Sequence, residues 1–361
     1  MKRIQIWRVC LLCILAAALA GILAGCGSGT RWQDVPEQAS SGEDARLNVV
    51  TTLFPYYDFT RQITGGDVDL TLVVPAGMDS HSFEPTPADM RTIQNADILI
   101  RNGGEMEHWL DEVLDALDTS HMTVVTMMDY VDTVEEDIVE GMEDADHEGH
   151  NHAEEDYGHN TGLASGQKDY VDYDGHEAGI EYDEHIWTSP VNAMKLVAAI
   201  RDTLAEQDAI HAGGAHADSY RQRAMDYLAK LKTIDEGFRE VSDARRRNLI
   251  VVGDKFPFRY LADEYQLDYR AAFSGCSSDT EPSAKTIAYL VDKVKAEGIP
   301  VVYYLELSSH RVAEIIGEET GATPLLLHSC HNVTRAQFDA GVTYAELMEQ
   351  NIENLRKGID E

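Results

Sequence analysis

The chain has 361 residues, with 64 acidic and 29 basic side chains, a formal charge of −35, 14 His and 5 Cys. With 43% hydrophobic residues it can bury a core, so wholesale disorder is excluded, and at roughly 100–200 residues per domain it suffices for two modest domains or one large one. So acidic a balance argues against a nucleic-acid partner, which needs a basic face, and suits a cation instead.

The first segment reads as an address. Met1–Arg3 and Arg8 supply a positive start, an apolar run fills 9–24, and Leu23-Ala24-Gly25-Cys26 follows. That pattern is a secretory signal over 1–25, too short for a membrane span of ~20 apolar residues. Leu-Ala-Gly-Cys followed by Gly-Ser-Gly resembles a bacterial lipobox, in which Cys26 carries lipid and becomes the new N-terminus. Residues 26–46 then form a lipidated N-terminus and flexible tether, and the expected location is extracytoplasmic, lipid-anchored to the bacterial cell membrane. Removal of Cys10 and Cys13 with the signal leaves Cys276 and Cys330. Outside the cytoplasm an even pair is a disulfide candidate; thiolate metal ligands or two unpaired thiols are the rival readings.

In chain order, apolar runs predict strands at 47–53, 67–74, 97–101 and 122–126. Helices are predicted at 55–64, 86–95 (Thr86 as N-cap, Pro87 at the first position) and 106–117. This alternation argues for a parallel α/β layer. From Asp129 to Glu184 there are 20 acidic residues and one basic one, Lys168, with His147, His150, His152, His159 and His176 among them. Too few apolar residues remain there to fold by burial, so most of it reads as a mobile loop.

A helix over 190–206 follows Ser189-Pro190. A Gly213-Gly214 break leads to a long helix from about 216 to 246, with Tyr220, Met225, Leu228, Leu231, Ile234 and Phe238 as its apolar stripe. A second alternation then begins: strands at 248–252, 269–273, 300–306 and 324–328, with helices near 258–265, 282–297, 309–319 and 343–357. The predicted fold is α/β: two parallel-sheet lobes, 47–212 and 248–361, joined by one linking helix over 213–247.

Two segments carry the chemistry. Pro75–Pro87 follows a strand and places His81 in a rigid Pro/Gly frame, outside the carboxyl end of a sheet where ligands gather. Tyr182-Asp-Glu-His-Ile-Trp-Thr-Ser-Pro190 places His185 before a helix, with Asp183 and Glu184 available to fix its tautomer.

The lipobox, the HSFEPTPADM stretch around His81, the acidic His-rich insert, DEHIWTSP, the long helix and the late GVTYAELM together resemble the zinc/manganese solute-binding lipoproteins of bacterial ABC importers, of the high-affinity zinc-uptake type. The resemblance runs in the same order over nearly the whole mature chain. It implies two α/β lobes bridged by a rigid helix, a metal site in the interlobe cleft, and metal ligands at His81 and His185. It also implies a third His early in the second lobe and often a late carboxylate. At the third position this chain reads Val252-Gly-Asp-Lys-Phe-Pro-Phe-Arg-Tyr260, with no His; Asp254 is either a ligand or a helix cap there. At the late position it reads Leu327-His-Ser-Cys-His331, where His328 matches best, with His331 and Glu306 in reserve.

Three imidazoles and a carboxylate suit Zn²⁺; Mn²⁺, the alternative, favours more oxygen ligands. The insert histidines would collect metal at low affinity before transfer. The resemblance implies no enzyme and no catalytic residue, but a monomeric receptor that delivers Zn²⁺ to an ABC permease and its ATPase. A metal buffer or adhesin of the same fold is one alternative. A metal hydrolase using Glu84 or Glu306 as base is another, and the chain offers no His-Glu-x-x-His, Gly-x-Ser-x-Gly or phosphate-loop motif in its support.

Overall fold

The computed structural model describes residues 46–142, 181–277 and 281–360. The signal and tether expectations over 1–45, Cys26 included, lie outside the described residues. So do His147, His150, His152, His159 and His176.

Strands β1 (Asn48–Thr51), β2 (Asp69–Leu72), β3 (Ile98–Arg101) and β4 (Thr123–Thr126) form one all-parallel sheet in the order β2-β1-β3-β4. Val49 and Val50 sit at its centre, paired with Leu70 and Thr71 on one side and Ile98 and Leu99 on the other. Both are fully buried, because helices cover parallel sheets on both faces. Those helices are α1 (Phe54–Thr64), α2 (Pro87–Gln94) and α3 (His108–Ala116). Thr86 caps α2 as expected, and Asp89 returns the bond to the Thr86 N–H in a capping box.

Two longer helices follow, α4 (Pro190–His211) and α5 (Ala217–Ala244). α4 continues five residues past its predicted end. At 28 residues α5 is about 42 Å long, and it packs against α4 and α1. Its buried stripe is Tyr220, Ala224, Tyr227, Leu231, Ile234, Phe238 and Val241, steps of four and three that keep to one face. Leu228 packs half-buried beside that stripe, but the place given to Met225 is corrected: it lies about a quarter turn off that face and is 56% exposed.

The second sheet repeats the first. β5 (Leu249–Phe256), β6 (Asp268–Ser274), β7 (Val301–Tyr304) and β8 (Thr323–Leu326) are all parallel, in the order β6-β5-β7-β8. α6 (Arg259–Tyr265), α7 (Ala284–Glu297), α8 (Arg311–Thr320), α9 (Arg335–Asp339) and α10 (Tyr344–Ile359) complete the lobe, and α10 also packs on α5. The short α9 was not foreseen. β5 runs four residues beyond its predicted end, past a register shift between Val252 and Lys255.

Part of the acidic window is built into the fold. Val134, Val139 and Met142 pack half-buried on the core, and the Asp183 N–H donates to the Val134 carbonyl at 2.9 Å. The two lobes are tied at Asp58, which is fully buried in α1. Its carboxylate accepts the Tyr344 N–H at 2.8 Å from α10 and Arg61 Nη2–H at 2.6 Å, while Arg61 also donates to the Val342 carbonyl at 2.8 Å.

Candidate metal centre

Three histidines meet beyond the carboxyl ends of the strands, and each is set by an acceptor two residues before it. His81 lies in one 3₁₀ turn after β2, and its N–H donates to Asp79 Oδ1 at 3.0 Å. The His185 N–H donates to Asp183 Oδ1 at 2.8 Å, and the His331 N–H to Ser329 Oγ at 3.1 Å. These are Asx and Ser turns, which the local tripeptides Asp-Ser-His, Asp-Glu-His and Ser-Cys-His can form.

A further layer orients the rings. Asp183 Oδ1 also faces His185 Nδ1 at 3.2 Å, which keeps the proton on Nδ1 and leaves Nε2 its lone pair for a metal. Tyr260 holds the other end of that turn by donating its hydroxyl to the Asp183 carbonyl at 2.7 Å. His331 Nε2 lies 2.5 Å from Ser80 Oγ in the opposite lobe. Glu306, just past β7, accepts the Ser329 N–H at 2.8 Å and its hydroxyl at 2.5 Å, and so fixes the turn that presents His331. Trp187 Nε1–H donates to the Ser329 carbonyl at 2.8 Å. Asn332 reaches across the cleft to donate to the Pro75 and Met78 carbonyls at 2.8 and 2.7 Å, fastening the loop that carries His81.

The ring centroids are 6.4 Å apart for His81–His185, 5.9 Å for His81–His331 and 5.7 Å for His185–His331. Imidazoles arranged tetrahedrally around one zinc, with Zn–N of about 2.1 Å, would place centroids about 5 Å apart. The trio is therefore grouped to within roughly an ångström or so of that spacing, though among the described residues no three His, Cys, Asp or Glu side chains are drawn to ion-holding distance. Burial, the neighbouring His185 and the Lys255 cation lower His81 to about 4, against the weaker upward pull of Asp79. Burial, with His185, His81 and Lys255, also holds His331 well below its ordinary value. For His185 burial acts downward too, but the Asp183 carboxylate outweighs it and the net direction is up. Neutral imidazoles are the form a metal needs; burial favours that form at His81 and His331, while Asp183 favours the charged form at His185.

The expected residues divide. His81, His185 and His331 come together; His328 does not. His328 is buried behind the cleft wall, its peptide clamped by Asn351, and its Nδ1 accepts the Cys330 N–H at 3.0 Å with Glu306 Oε1 at 3.4 Å. The reason is a reversal: Cys330 adopts φ +60, in the left-handed region, and turns the chain so that His331 faces the cleft. Asp254 lines the cleft from within β5 and is not a helix cap, since α6 begins only at Arg259. Its carboxylate accepts the Lys255 N–H at 2.9 Å.

Glu306 lines the cleft but is committed to Ser329. Glu184 does not orient His185. It accepts the Glu105 and Met106 N–H groups, and burial pushes it up to about 7. Cys276 and Cys330 are free thiols, not a disulfide: Cys330 is wholly buried in the core, while Cys276 follows β6, its N–H on Glu136. Ser80, Ser329, Asn332 and Lys255 are site residues that sequence reasoning missed. For Ser329 a signal existed in the repeated Asp/Ser-x-His pattern.

Two parallel α/β lobes, a long helix packed along both, and a cleft presenting imidazoles from each define a two-lobed α/β binding protein. The chain belongs to the family described as zinc-uptake complex component A, periplasmic, whose model matches residues 49–358. It is 30% identical over 319 residues to the zinc-binding lipoprotein AdcA of Streptococcus pneumoniae, a match covering 88% of this chain and 57% of that protein. It is 28% identical over 343 residues to the high-affinity zinc uptake system protein ZnuA of Bacillus subtilis, covering 95% of each. The chain thus spans little more than half the length of the AdcA relatives, and nearly all of the ZnuA relative. Among solved structures, the Zn(II)-bound ZnuA-like domain of Streptococcus pneumoniae AdcA superposes with a TM-score of 0.66 at 27% identity, covering 88% of this chain and all of that one.

Proposed function

We propose that this protein is the extracytoplasmic receptor of a zinc importer. It captures Zn²⁺ between its lobes on His81, His185 and His331 and delivers it to an ABC permease and its ATPase. The observation that carries this reading is the approach of three imidazoles, from two lobes, to centroid separations of 5.7–6.4 Å inside a buried polar cleft. The zinc-binding relatives of the same family support it. Capture needs no bond-making: the residues bind, orient and desolvate the ion. Imidazole donors favour zinc over manganese, which prefers more oxygen.

Among the described residues no helix is long and apolar enough to cross a membrane. Tethering through a lipid on Cys26 is the reading that keeps such a receptor beside its permease. The insert histidines would act as a low-affinity collector. Zinc titration of the mature chain against a competing chelator tests the core of the reading. High-affinity binding at one ion per chain, lost in the His81→Ala/His331→Ala double variant, is expected; unchanged affinity in that variant defeats it.

A further inference from the structure

The His185 ring and the Asp183 carboxylate that orients it are almost wholly buried, so both must fit the walls they rest on. Trp187 is one wall, with ring centroids 5.5 Å apart. Another is bare backbone: Gly275, the residue after β6 in the second lobe. A Cβ at Gly275 would stand 3.3 Å from His185 Cε1, 3.2 Å from Asp183 Oδ2 and 2.9 Å from the Phe256 carbonyl oxygen. Carbon contacts are comfortable at about 3.5–4.0 Å, so all three neighbours would be crowded. The backbone of Gly275 lies outside the left-handed region and does not itself call for glycine. What the position requires is the absence of a side chain.

Neither side of this contact is free to retreat. Ser274 pairs with Phe256 in the β5–β6 ladder, and the Cys276 N–H donates to Glu136 Oε1 at 3.1 Å, so the chain is fastened on both sides of Gly275. Across from it, the Asp183 N–H donates to the Val134 carbonyl at 2.9 Å, and the Asp183 carbonyl accepts the Tyr260 hydroxyl at 2.7 Å. Gly275 is a thin partition: it borders the cleft that holds His185 and also the crevice that holds Glu136, Asp137 and Asp183. A methyl group on it would press directly on the imidazole–carboxylate pair.

We infer that Gly275 is a positioning residue of the metal centre. By carrying no side chain it lets second-lobe backbone seat against a first-lobe ligand, setting how far the His185 ring projects into the cleft while Asp183 stays on its Nδ1. The inference rests on the zinc reading above and adds a residue that acts on the ion only through His185. A ring displaced by a few tenths of an ångström misdirects its Nε2 lone pair. Outer partners of a ligating histidine typically matter about 10–100-fold in metal affinity for that reason.

The test uses the mature chain freed of metal, isotopically labelled at histidine and glycine for NMR. In the native chain Gly275 Hα should show a nuclear Overhauser contact to His185 Hε1. One equivalent of Zn²⁺ should shift the Gly275 and His185 signals together and leave Gly317, in α8, in place. A missing contact, or a Gly275 signal indifferent to bound zinc, overturns the inference whether or not any variant folds. Gly275→Ala should move the His185 Nδ1–H signal and weaken zinc binding at least tenfold in chelator competition. Gly317→Ala controls for strain alone: its added carbon also meets a backbone oxygen, at 2.8 Å, but outside the lining of the cleft. It should leave both readings at their native values. Equal readings in the two variants overturn the inference and leave the receptor reading intact. A native chain that binds no zinc overturns both.

Discussion

The two lobes furnish the cleft by different means. On the first-lobe side, His81 and His185 are each set by an aspartate two residues upstream, and the second lobe reaches over to hold their loops through Asn332 and Tyr260. On the second-lobe side, His331 has a local Ser turn as well, but that turn is held by Glu306 from 23 residues away, by Trp187 and by Ser80 across the cleft. All three ligands therefore depend on partners in both lobes. The difference is in what is held: the second lobe reaches the first-lobe histidines through the backbone of their loops, whereas the His331 ring itself meets Ser80 across the cleft.

The largest effect should separate His331 from His328. His331→Ala is expected to weaken zinc binding about a hundredfold or more in a chelator-competition titration. His328→Ala should leave affinity within a few-fold and instead lower the melting temperature, because it empties a buried site. The opposite ranking would reassign the cleft wall.

Next is the aspartate that orients His185. Asp183→Asn keeps an oxygen for the His185 N–H but removes the charge that fixes the ring, and should reduce zinc affinity by roughly 10–100-fold. A smaller loss is expected for Asp79→Asn, whose carboxylate reaches His81 through its backbone N–H and otherwise faces Lys255. Equal losses would mean that turn geometry, not ring orientation, is what these aspartates supply.

Asn332→Ala tests the bridge between lobes. It removes two donors to the His81 loop and should cost about 1–3 kcal/mol of stability, read as a fall of a few degrees in the melting temperature. Its effect on zinc should be larger than that of Ser80→Ala, which loses one contact to His331.

The smallest effect is in the pH dependence of the metal-free chain. His81 titrates at about 4 when folded and near 6.5 when unfolded, so its contribution is complete above 6.5 and is lost as pH falls toward 4. His185, raised by Asp183, has the opposite sign: its contribution is present at low pH and fades as pH rises through its raised value. Thermal melts between pH 7 and 4.5 should therefore show the native chain losing more stability on acidification than His81→Ala. A variant that loses as much as the native chain would place His81 in a wetter setting than the structure shows.

What the chain determined by itself is the alternation of elements and the first-lobe half of the site. Valine- and isoleucine-rich runs bounded by Gly, Pro and capping residues can bury only as parallel strands under helices, and Thr86-Pro87 and Ser189-Pro190 start their helices wherever they are placed. His81 and His185 were legible for the same reason: a proline-framed loop and an Asp-x-His turn act over a few residues. What only the tertiary structure decided is the second-lobe half. Whether His328 or His331 faces the cleft depends on one left-handed residue, Cys330. Whether Asp254 lies within a strand or caps a helix depends on a register shift in β5, and whether Cys276 meets Cys330 depends on where two separate segments pack. These are consequences of long-range packing, and nearest-neighbour chemistry carries no record of them.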